Sequence, residues 1–253
     1  MLFRLDGKRA IVTGATRGIG KAIATELARA GARVAVSGNE ANGCVEVAKD
    51  LVSQGFEAVA IPCDVAVDSE LDELVARTLE AFEGIDILVC NAGVARHHGP
   101  SAQASDEAYE ETMRVNARSP FKLCNLVTPH MASQRDGVII IVSSLAGLRG
   151  NRALAVYAMS KAANAQLARN LAVEWGPVNI RANAISPGLV ETEFASPILG
   201  DSERLAQRIG QTPLRRVGTA TEIAGCAVFL ASPAGAFVTG HNLVCDGGTL
   251  IAD

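Results

Sequence analysis

The 253 residues are 49% hydrophobic and 20% charged, a composition typical of a well-packed globular chain. A formal net charge of −4 provides no basic footprint, so we expect no nucleic-acid partner. The longest sheet-like apolar run, Val138–Val142, is too short to span a bilayer, and the first residues contain no apolar signal segment. We therefore expect no membrane association.

Strand-like and helix-like patterns alternate along the whole chain. Short apolar runs rich in β-branched residues predict strands, and apolar residues at helical spacing predict the helices between them. In chain order, strands are predicted over 9–13, 33–37, 57–61, 86–90, 137–143, 180–185 and 242–245. Helices are predicted over 19–30, 40–54, 68–82, 105–134, 156–175 and 221–231.

This alternation predicts a single α/β domain over 1–253. Seven nearly all-apolar strands separated by helices indicate a Rossmann-type, doubly wound, seven-stranded parallel sheet with helices on both faces. Residues 189–218 depart from the alternation and are too long for an ordinary connection. We predict a substrate lid there, with a surface ornament as the alternative.

Six cysteines occur, and no two lie close enough for a C-x-x-C zinc or redox motif. We interpret them as reduced residues, mostly in the core, which favours a cytoplasmic location. No carboxylate cluster suggests a metal site, so we expect none.

A glycine-rich turn, Thr13–Gly20, follows the first predicted strand and opens the first helix. Glycine allows a tight turn and close approach to a ligand, and a helix N-terminus attracts phosphate. The spacing is G-x-x-x-G-x-G rather than the more familiar G-x-G-x-x-G. Its position predicts a dinucleotide site, with a tight turn that binds nothing as the alternative.

The end of the second strand bears on the choice of cofactor. An acidic residue there favours a free ribose 2′-hydroxyl, but this chain has Ser37-Gly38-Asn39, with Glu40 nearby. The forked donors of Arg17 suit a 2′-phosphate. We expect NADP(H) to be favoured over NAD(H), with a solvated loop arginine as the alternative.

Tyr157 and Lys161 are four residues apart, which places them on one face of a helix, and Ser144 precedes the tyrosine by thirteen residues. We predict that the ammonium lowers the pKa of the phenol, so that Tyr157 can exchange a proton with an alcohol oxygen. A serine hydroxyl can hold a carbonyl oxygen. Ser143 competes for that role, although the spacing favours Ser144. A surface tyrosine beside a solvated lysine is the alternative.

Taken together, the motifs resemble those of the short-chain dehydrogenase/reductase family over essentially the whole chain. The motifs are Thr13-Gly14-x-x-x-Gly18-x-Gly20, Cys63-Asp64-Val65, Asn91-Ala92-Gly93, Asn116, Ser144, Tyr157-x-x-x-Lys161 and Pro187-Gly188 with Thr192. The resemblance implies reversible hydride transfer between a nicotinamide and a ketone or secondary alcohol, that is, chemistry on CH–OH groups.

The resemblance also implies roles for individual residues. Tyr157 would be the general acid or base, Lys161 would bind the nicotinamide ribose, and Ser144 would hold the substrate oxygen. Asn116 would kink its helix and keep a water that connects Lys161 to solvent. The implied cofactor-binding residues are Gly14, Thr16, Arg17, Gly18, Ile19, Gly20, Asn39, Asp64, Val65, Asn91, Ala92, Gly93, Tyr157, Lys161, Pro187, Gly188, Val190 and Thr192.

The substrate is less well defined. The expected walls, 94–100, 145–151 and the lid, mix apolar and basic residues, so we predict a small-to-medium carbonyl or secondary alcohol. His97 and His98 are interpreted as a solvated loop pair.

Other functions remain open at this point. A 3-oxoacyl-carrier-protein reductase is weakened by Val173, where such enzymes often carry arginine. A catalytically idle dinucleotide-binding redox sensor and a sugar-nucleotide epimerase or dehydratase are the further alternatives. The resemblance implies a homotetramer or homodimer.

Overall fold

Seven parallel strands form one sheet, and the computed structural model describes residues 1–252. The strands are β1 (Arg9–Val12), β2 (Arg33–Val36), β3 (Ala58–Ala60), β4 (Ile87–Cys90), β5 (Gly137–Val142), β6 (Ile180–Pro187) and β7 (Asn242–Cys245). Their order is β3-β2-β1-β4-β5-β6-β7. The winding direction reverses between β1 and β4, where doubly wound sheets bind their ligands. The predicted fold class is confirmed.

Helices cover both faces of the sheet. They are α1 (Gly18–Arg29), α2 (Ala41–Ser53), α3 (Asp68–Phe82), α4 (Asp106–Met113), α5 (Ser119–Gln134), α6 (Ala155–Trp175), α7 (Ser196–Leu199), α8 (Ser202–Gly210) and α9 (Ala220–Ala231). Helices α1, α2 and α9 pack on one face, and α3, α5 and α6 pack on the other. No helix within residues 1–252 is both long and apolar enough to cross a bilayer.

The apolar character of the strands follows from this two-sided burial. In β1, Ala10 and Val12 point into the core under α1, whereas Ile11 between them points into the core under α3 and α5. Successive strand residues face opposite sides of a sheet, so a strand covered on both faces needs apolar residues at every position. All six residues of β5 are buried.

The single helix predicted over 105–134 is interrupted. A π-helical turn over Arg114–Arg118 separates α4 from α5. Asn116 lies in this turn, and its side chain is hydrogen-bonded in both directions to the backbone of Val94, in the loop after β4. A contact between distant segments thus accompanies the change in helical pitch, which periodicity alone did not reveal.

Residues 189–218 contain α7 and α8, and the two ends of the segment lie together. Val190 and Gly218 form a parallel bridge, with hydrogen bonds from Glu191 N to Gly218 O and from Gly218 N to Leu189 O. The segment therefore leaves the sheet and returns to it at one point.

The six cysteines carry free thiols. Cys44, Cys63, Cys90 and Cys124 are buried, and Cys226 and Cys245 are half-buried. Their positions agree with reduced, mainly internal residues.

An ion pair joins β1 and β4 at the amino ends of the strands, on the side of the sheet away from the carboxyl ends. Arg9 Nε and Nη2 donate to the Asp86 carboxylate at 2.7 and 2.8 Å, and the Arg9 backbone N–H donates to it at 2.8 Å. Burial acts to raise the pKa of Asp86, but these hydrogen bonds and the arginine charge outweigh it, so the pKa is lowered. The pair joins β1 to the residue before β4.

We expect Asp86→Ala to lower the free energy of unfolding by about 3 kcal/mol, because it leaves the Arg9 charge largely buried and unpaired. A carboxyl whose pKa is lowered by folding stabilises the protein above its unfolded pKa of about 4 and loses that contribution as the pH falls below it. Urea unfolding at fixed protein concentration should therefore show a difference from wild type that is constant near neutral pH and shrinks below about pH 4.

The matched control is Asp136→Ala, which removes an exposed carboxylate paired with Lys8 at the same end of the sheet. We expect a loss below about 1 kcal/mol there. Equal losses in the two variants would contradict the special role of the buried pair.

Candidate active site

A cavity of about 1390 Å³ runs along the carboxyl ends of the central strands. Every residue predicted to bind the cofactor lines it, from the glycine-rich turn to Thr192, and so do Ser144, Tyr157 and Lys161. His98 also lines the cavity, whereas the ring of His97 is hydrogen-bonded to the Pro100 carbonyl. Asn116 does not line the cavity and is fully buried behind it.

Asn91 ties the glycine-rich turn to the end of β4. Its Nδ2 donates to Thr13 O at 3.0 Å and to Gly14 O at 3.1 Å. In return, the backbone N–H groups of Asn91 and Ala92 donate to the Thr13 hydroxyl at 3.1 and 3.2 Å. These bonds hold the ends of β1 and β4 together, at the place where the winding direction of the sheet reverses.

The turn has the shape that a dinucleotide phosphate needs. A Cβ atom on Gly20 would lie 2.1 Å from Gly14 O and 2.4 Å from Asn91 Nδ2, so only glycine fits at the start of α1. Gly14 and Gly18 have φ values of +63° and +54°. The first amide groups of α1 have no partner within the helix, and no side chain of these glycines blocks access to them. The turn therefore fits a pyrophosphate.

Arg17 lies at the mouth of the turn between two carboxylates. Its Nη1 is 2.6 Å from Glu40 Oε1, and its Nε is 3.2 Å from Glu193 Oε2. Glu40 precedes α2, and Glu193 lies in the segment 189–218. The nearest acidic residue after β2 is thus paired with the arginine.

Other predicted cofactor contacts surround the same cavity. The Asp64 carboxylate accepts a hydrogen bond from Ala66 N at 2.9 Å, which fixes the loop after β3. Gly188 N donates to Cys245 O at 3.0 Å, so Pro187-Gly188 is held against β7. The Thr192 methyl group lies 3.3 Å from the position that a Cβ on Gly18 would occupy.

Ser144 and Tyr157 meet at the end of β5. Ser144 caps a short 3₁₀ turn by accepting a hydrogen bond from Ala146 N at 3.1 Å, and it lines the same cavity as Tyr157. The neighbouring Ser143 is buried, and its hydroxyl donates to Lys161 O at 2.7 Å. Both serines line the cavity, but the Ser143 hydroxyl is engaged in joining the end of β5 to α6.

Lys161 is buried one helical turn from Tyr157. Its Nζ donates to Val142 O, the last carbonyl of β5, at 2.8 Å and lies 5.6 Å from the centre of the Tyr157 ring. Burial lowers the pKa of Lys161 to about 8, so the side chain is mainly protonated at neutral pH.

The expected direction of the Tyr157 pKa was wrong for the protein without ligands. Burial raises the pKa of the phenol, and the effect of the Ser144 hydroxyl opposes this only in part. The cost of burying a phenolate is the larger of the two effects, so the pKa rises. Tyr157 is therefore a neutral proton donor at neutral pH.

Asn116 is hydrogen-bonded to α6, the helix that carries Tyr157 and Lys161. Its Nδ2 donates to Val94 O at 2.8 Å and to Ser160 Oγ at 3.0 Å, and Ser160 Oγ donates to Tyr157 O at 2.7 Å. The side chain thus links the π turn, the loop after β4 and α6.

Several cavity residues at α8 escaped the sequence reasoning because this helix was not predicted. Gln207 and Arg208 of α8, and Gln211 directly after it, line the cavity. The spacing of three and four residues between them is a helical-face signal that could have identified them. Phe194, from the same segment, packs on the Tyr157 ring with a centroid separation of 5.6 Å.

A family model described as Enoyl-(Acyl carrier protein) reductase matches residues 14–249. The 5-keto-D-gluconate 5-reductase of Escherichia coli (strain K12) is 35% identical over 251 residues, which cover 99% of this chain and 98% of the reductase. The chain belongs to the short-chain dehydrogenase/reductase family.

Two solved structures are similar to this chain in fold as well as in sequence. A 7α-hydroxysteroid dehydrogenase complexed with NADH and 7-oxo glycochenodeoxycholic acid is 38% identical, with a TM-score of 0.94 and coverage of 97% of this chain and 95% of the dehydrogenase. A gluconate 5-dehydrogenase from Burkholderia cenocepacia J2315, in complex with NADP and tartrate, is 33% identical, with a TM-score of 0.95 and coverage of 99% and 98%.

Membership of this family confirms the predicted enzyme class. The chain is an NAD(P)-dependent oxidoreductase that acts on secondary alcohols and the corresponding ketones. The family membership leaves no support for the idle redox sensor considered above.

We expect Gly20→Ala to raise the Kd for NADPH by at least about tenfold, because the new methyl group must displace Gly14 or Asn91 from the phosphate turn. Fluorescence titration of the nucleotide measures this change. Gly225→Ala is the matched control, since a Cβ there has no neighbour within 4 Å. Unchanged nucleotide affinity in Gly20→Ala would contradict the assigned phosphate site.

Proposed function

We propose that this enzyme transfers hydride reversibly between NADP(H) and a small-to-medium ketone or secondary alcohol, with Tyr157 as general acid in reduction and general base in oxidation. The proposal rests mainly on one arrangement. Ser144 and Tyr157 line one cavity with the glycine-rich turn, and the Lys161 ammonium is held 5.6 Å from the centre of the tyrosine ring.

Ser144 and Tyr157 would act on the same substrate oxygen. The nicotinamide supplies or accepts the hydride. The Ser144 hydroxyl, held by the 3₁₀ turn, positions the carbonyl oxygen, and Tyr157 gives that oxygen its proton in reduction. A raised phenol pKa suits this direction because the proton is present at neutral pH.

Lys161 has a positioning role toward the tyrosine and a binding role toward the ribose. An ammonium has three donors, and Val142 O takes one of them. Those that remain suit ribose hydroxyl groups in the cavity. We further propose that Asn116 holds this geometry and keeps a water that serves Lys161, since it braces the segments on both sides of the lysine.

We propose that residues 189–218 form a substrate lid. Phe194 lies against the Tyr157 ring, Thr192 lies against the glycine-rich turn, and Glu193 is paired with Arg17. One short stretch therefore covers both the reacting end and the phosphate end of the cavity. Such a segment excludes water when it closes and must open for product release.

The preference for NADP(H) rests on Arg17. Its side chain is 60% exposed and accessible to a 2′-phosphate, whereas Glu40, the carboxylate best placed for a free 2′-hydroxyl, is already paired with it. One similar structure is complexed with NADH and another with NADP, so the relatives do not distinguish the two cofactors. Our preference for NADP(H) therefore rests on the charges around Arg17.

We also propose that the enzyme forms a homotetramer or homodimer and is located in the cytoplasm. Phe121 of α5 and Met159 and Val173 of α6 are large apolar side chains that remain exposed in the single chain. A second copy of the chain would cover them. Free thiols at all six cysteines suit a reducing compartment.

We expect Tyr157→Phe to lower kcat for ketone reduction by about 100-fold or more, because it removes the proton donor. The binding of NADPH should change far less, since the ring remains in place. Oxidation of NADPH at 340 nm with a ketone panel measures the first quantity, and fluorescence titration measures the second.

The matched control is Tyr109→Phe, which removes the phenol of the only other tyrosine, an exposed residue of α4. We expect normal kinetics there. Activity of Tyr157→Phe within about tenfold of wild type would contradict the general-acid role.

We expect Arg17→Gln to raise the ratio of the Kd for NADPH to the Kd for NADH by about tenfold, because only NADPH carries the 2′-phosphate. Lys21→Gln, one turn later on α1 and exposed, removes the same charge as a control. An equal change for both nucleotides would argue against the phosphate contact and reopen the choice of NAD(H).

A further inference from the structure

Two arginines from segments far apart in the chain line the cavity. Arg149 lies at the rim, five residues after Ser144, and Arg208 is half-buried in the last turn of α8. One belongs to the wall that carries the reacting hydroxyl groups, and the other belongs to the proposed lid. The proposed function uses neither of them.

Most other arginines around the cavity are paired with carboxylates. Arg17 pairs with Glu40 and Glu193, Arg96 pairs with Glu111, and Arg204 pairs with Asp201. Within residues 1–252, Arg149 and Arg208 form no salt bridge. The one hydrogen bond of the Arg149 guanidinium is a long contact of 3.5 Å to Thr249 O.

The two guanidinium groups also interact unfavourably with each other. Burial lowers the pKa of Arg208, and the positive charge of Arg149 lowers it further. Like charges that approach in a partly buried cavity without a counterion are costly. An anion placed between them would remove that cost.

Buried contacts hold the two arginines in position. Thr212 Oγ1 donates to Arg208 O at 2.9 Å and is hydrogen-bonded to Thr249 Oγ1 at 3.0 Å. Leu214 N donates to Gly247 O at 3.1 Å. The turn after β7 therefore connects the end of α8 to the carbonyl that Arg149 contacts, so the gap between the arginines is set by the fold.

A simpler explanation accounts for only part of this arrangement. A basic residue in the last turn of a helix interacts favourably with the helix dipole, which suits Arg208. It does not account for Arg149, which lies in a loop, or for the presence of both arginines in the lining of one cavity.

We propose that Arg149 and Arg208 together bind a carboxylate of the substrate, so that the preferred substrates are oxo acids and the corresponding hydroxy acids. This inference rests on the proposed function, since it names the substrate class of the same site. Guanidinium groups bind carboxylates through paired donors, which gives orientation as well as affinity. The bound carboxylate would also connect the lid to the wall beside Ser144 and favour closure.

Matched pairs of ketones test the inference. The probes are 4-oxopentanoate and its methyl ester, which share a reacting carbonyl and differ in the negative charge. We expect wild type to favour the acid in kcat/KM. The ratio of acid to ester should fall by at least about tenfold in Arg208→Gln and in Arg149→Gln. Arg29→Gln, an exposed charge on α1 far from the cavity, is the control and should keep the wild-type ratio.

The double variant adds a test of cooperation. If both arginines hold one carboxylate, the loss in the double variant should be smaller than the product of the single losses. A binding measurement that needs no turnover accompanies it. Calorimetric titration of the NADP-loaded enzyme with glutarate should show binding to wild type that is lost in the double variant.

The outcomes separate the two proposals. An unchanged acid-to-ester ratio, or unchanged glutarate binding in the double variant, overturns the carboxylate site while leaving the oxidoreductase proposal intact. Retained activity in Tyr157→Phe overturns the proposed mechanism, whereas glutarate binding still reports on the arginines. A third outcome is that wild type shows no preference for the acid but favours dihydroxyacetone phosphate over dihydroxyacetone, and that this preference is lost in the arginine variants. That result would assign the site to phosphate and overturn the carboxylate assignment.

Discussion

The buried ammonium group of Lys161 is the constraint on which the rest of the site depends. Within residues 1–252 it forms no salt bridge, and its hydrogen bond goes to the last carbonyl of β5. A charge in this position is tolerated only if its surroundings are polar and fixed. The end of β5, the Tyr157 ring and the loop at Gly93 all approach it, and Gly93 is close enough that a Cβ there would lie 3.2 Å from Nζ.

The cavity owes its position to the order of the strands. Because winding reverses between β1 and β4, the loops that follow these strands diverge and leave a crevice between them. Asn91 spans the crevice floor and keeps the glycine-rich turn at a fixed distance from β4. The same sheet places Ser144 and Pro187 at the ends of the next strands, so the residues proposed to contact phosphate, ribose and substrate follow one rim.

The segment 189–218 brings the two ends of this rim together. Its first residues contact the glycine-rich turn and Tyr157, and its second helix carries Arg208 toward Arg149. The proposed cofactor contacts and substrate contacts thus meet on one segment that leaves and rejoins the sheet at Val190 and Gly218. In our proposals, a substrate anion and the cofactor therefore favour the same closed arrangement, which connects substrate choice with the exclusion of water.

The sequence by itself determined the order of strands and helices, the parallel sheet, the glycine-rich turn and the Ser144, Tyr157 and Lys161 constellation. These are local patterns of spacing and composition, and each keeps its meaning wherever the chain folds. Only the tertiary structure decided the π turn at Asn116, the direction of the Tyr157 pKa and the placement of Arg149 and Arg208 in the lining of one cavity. Each of these depends on the burial and charge created when distant segments pack together, and no single stretch of sequence contains that information.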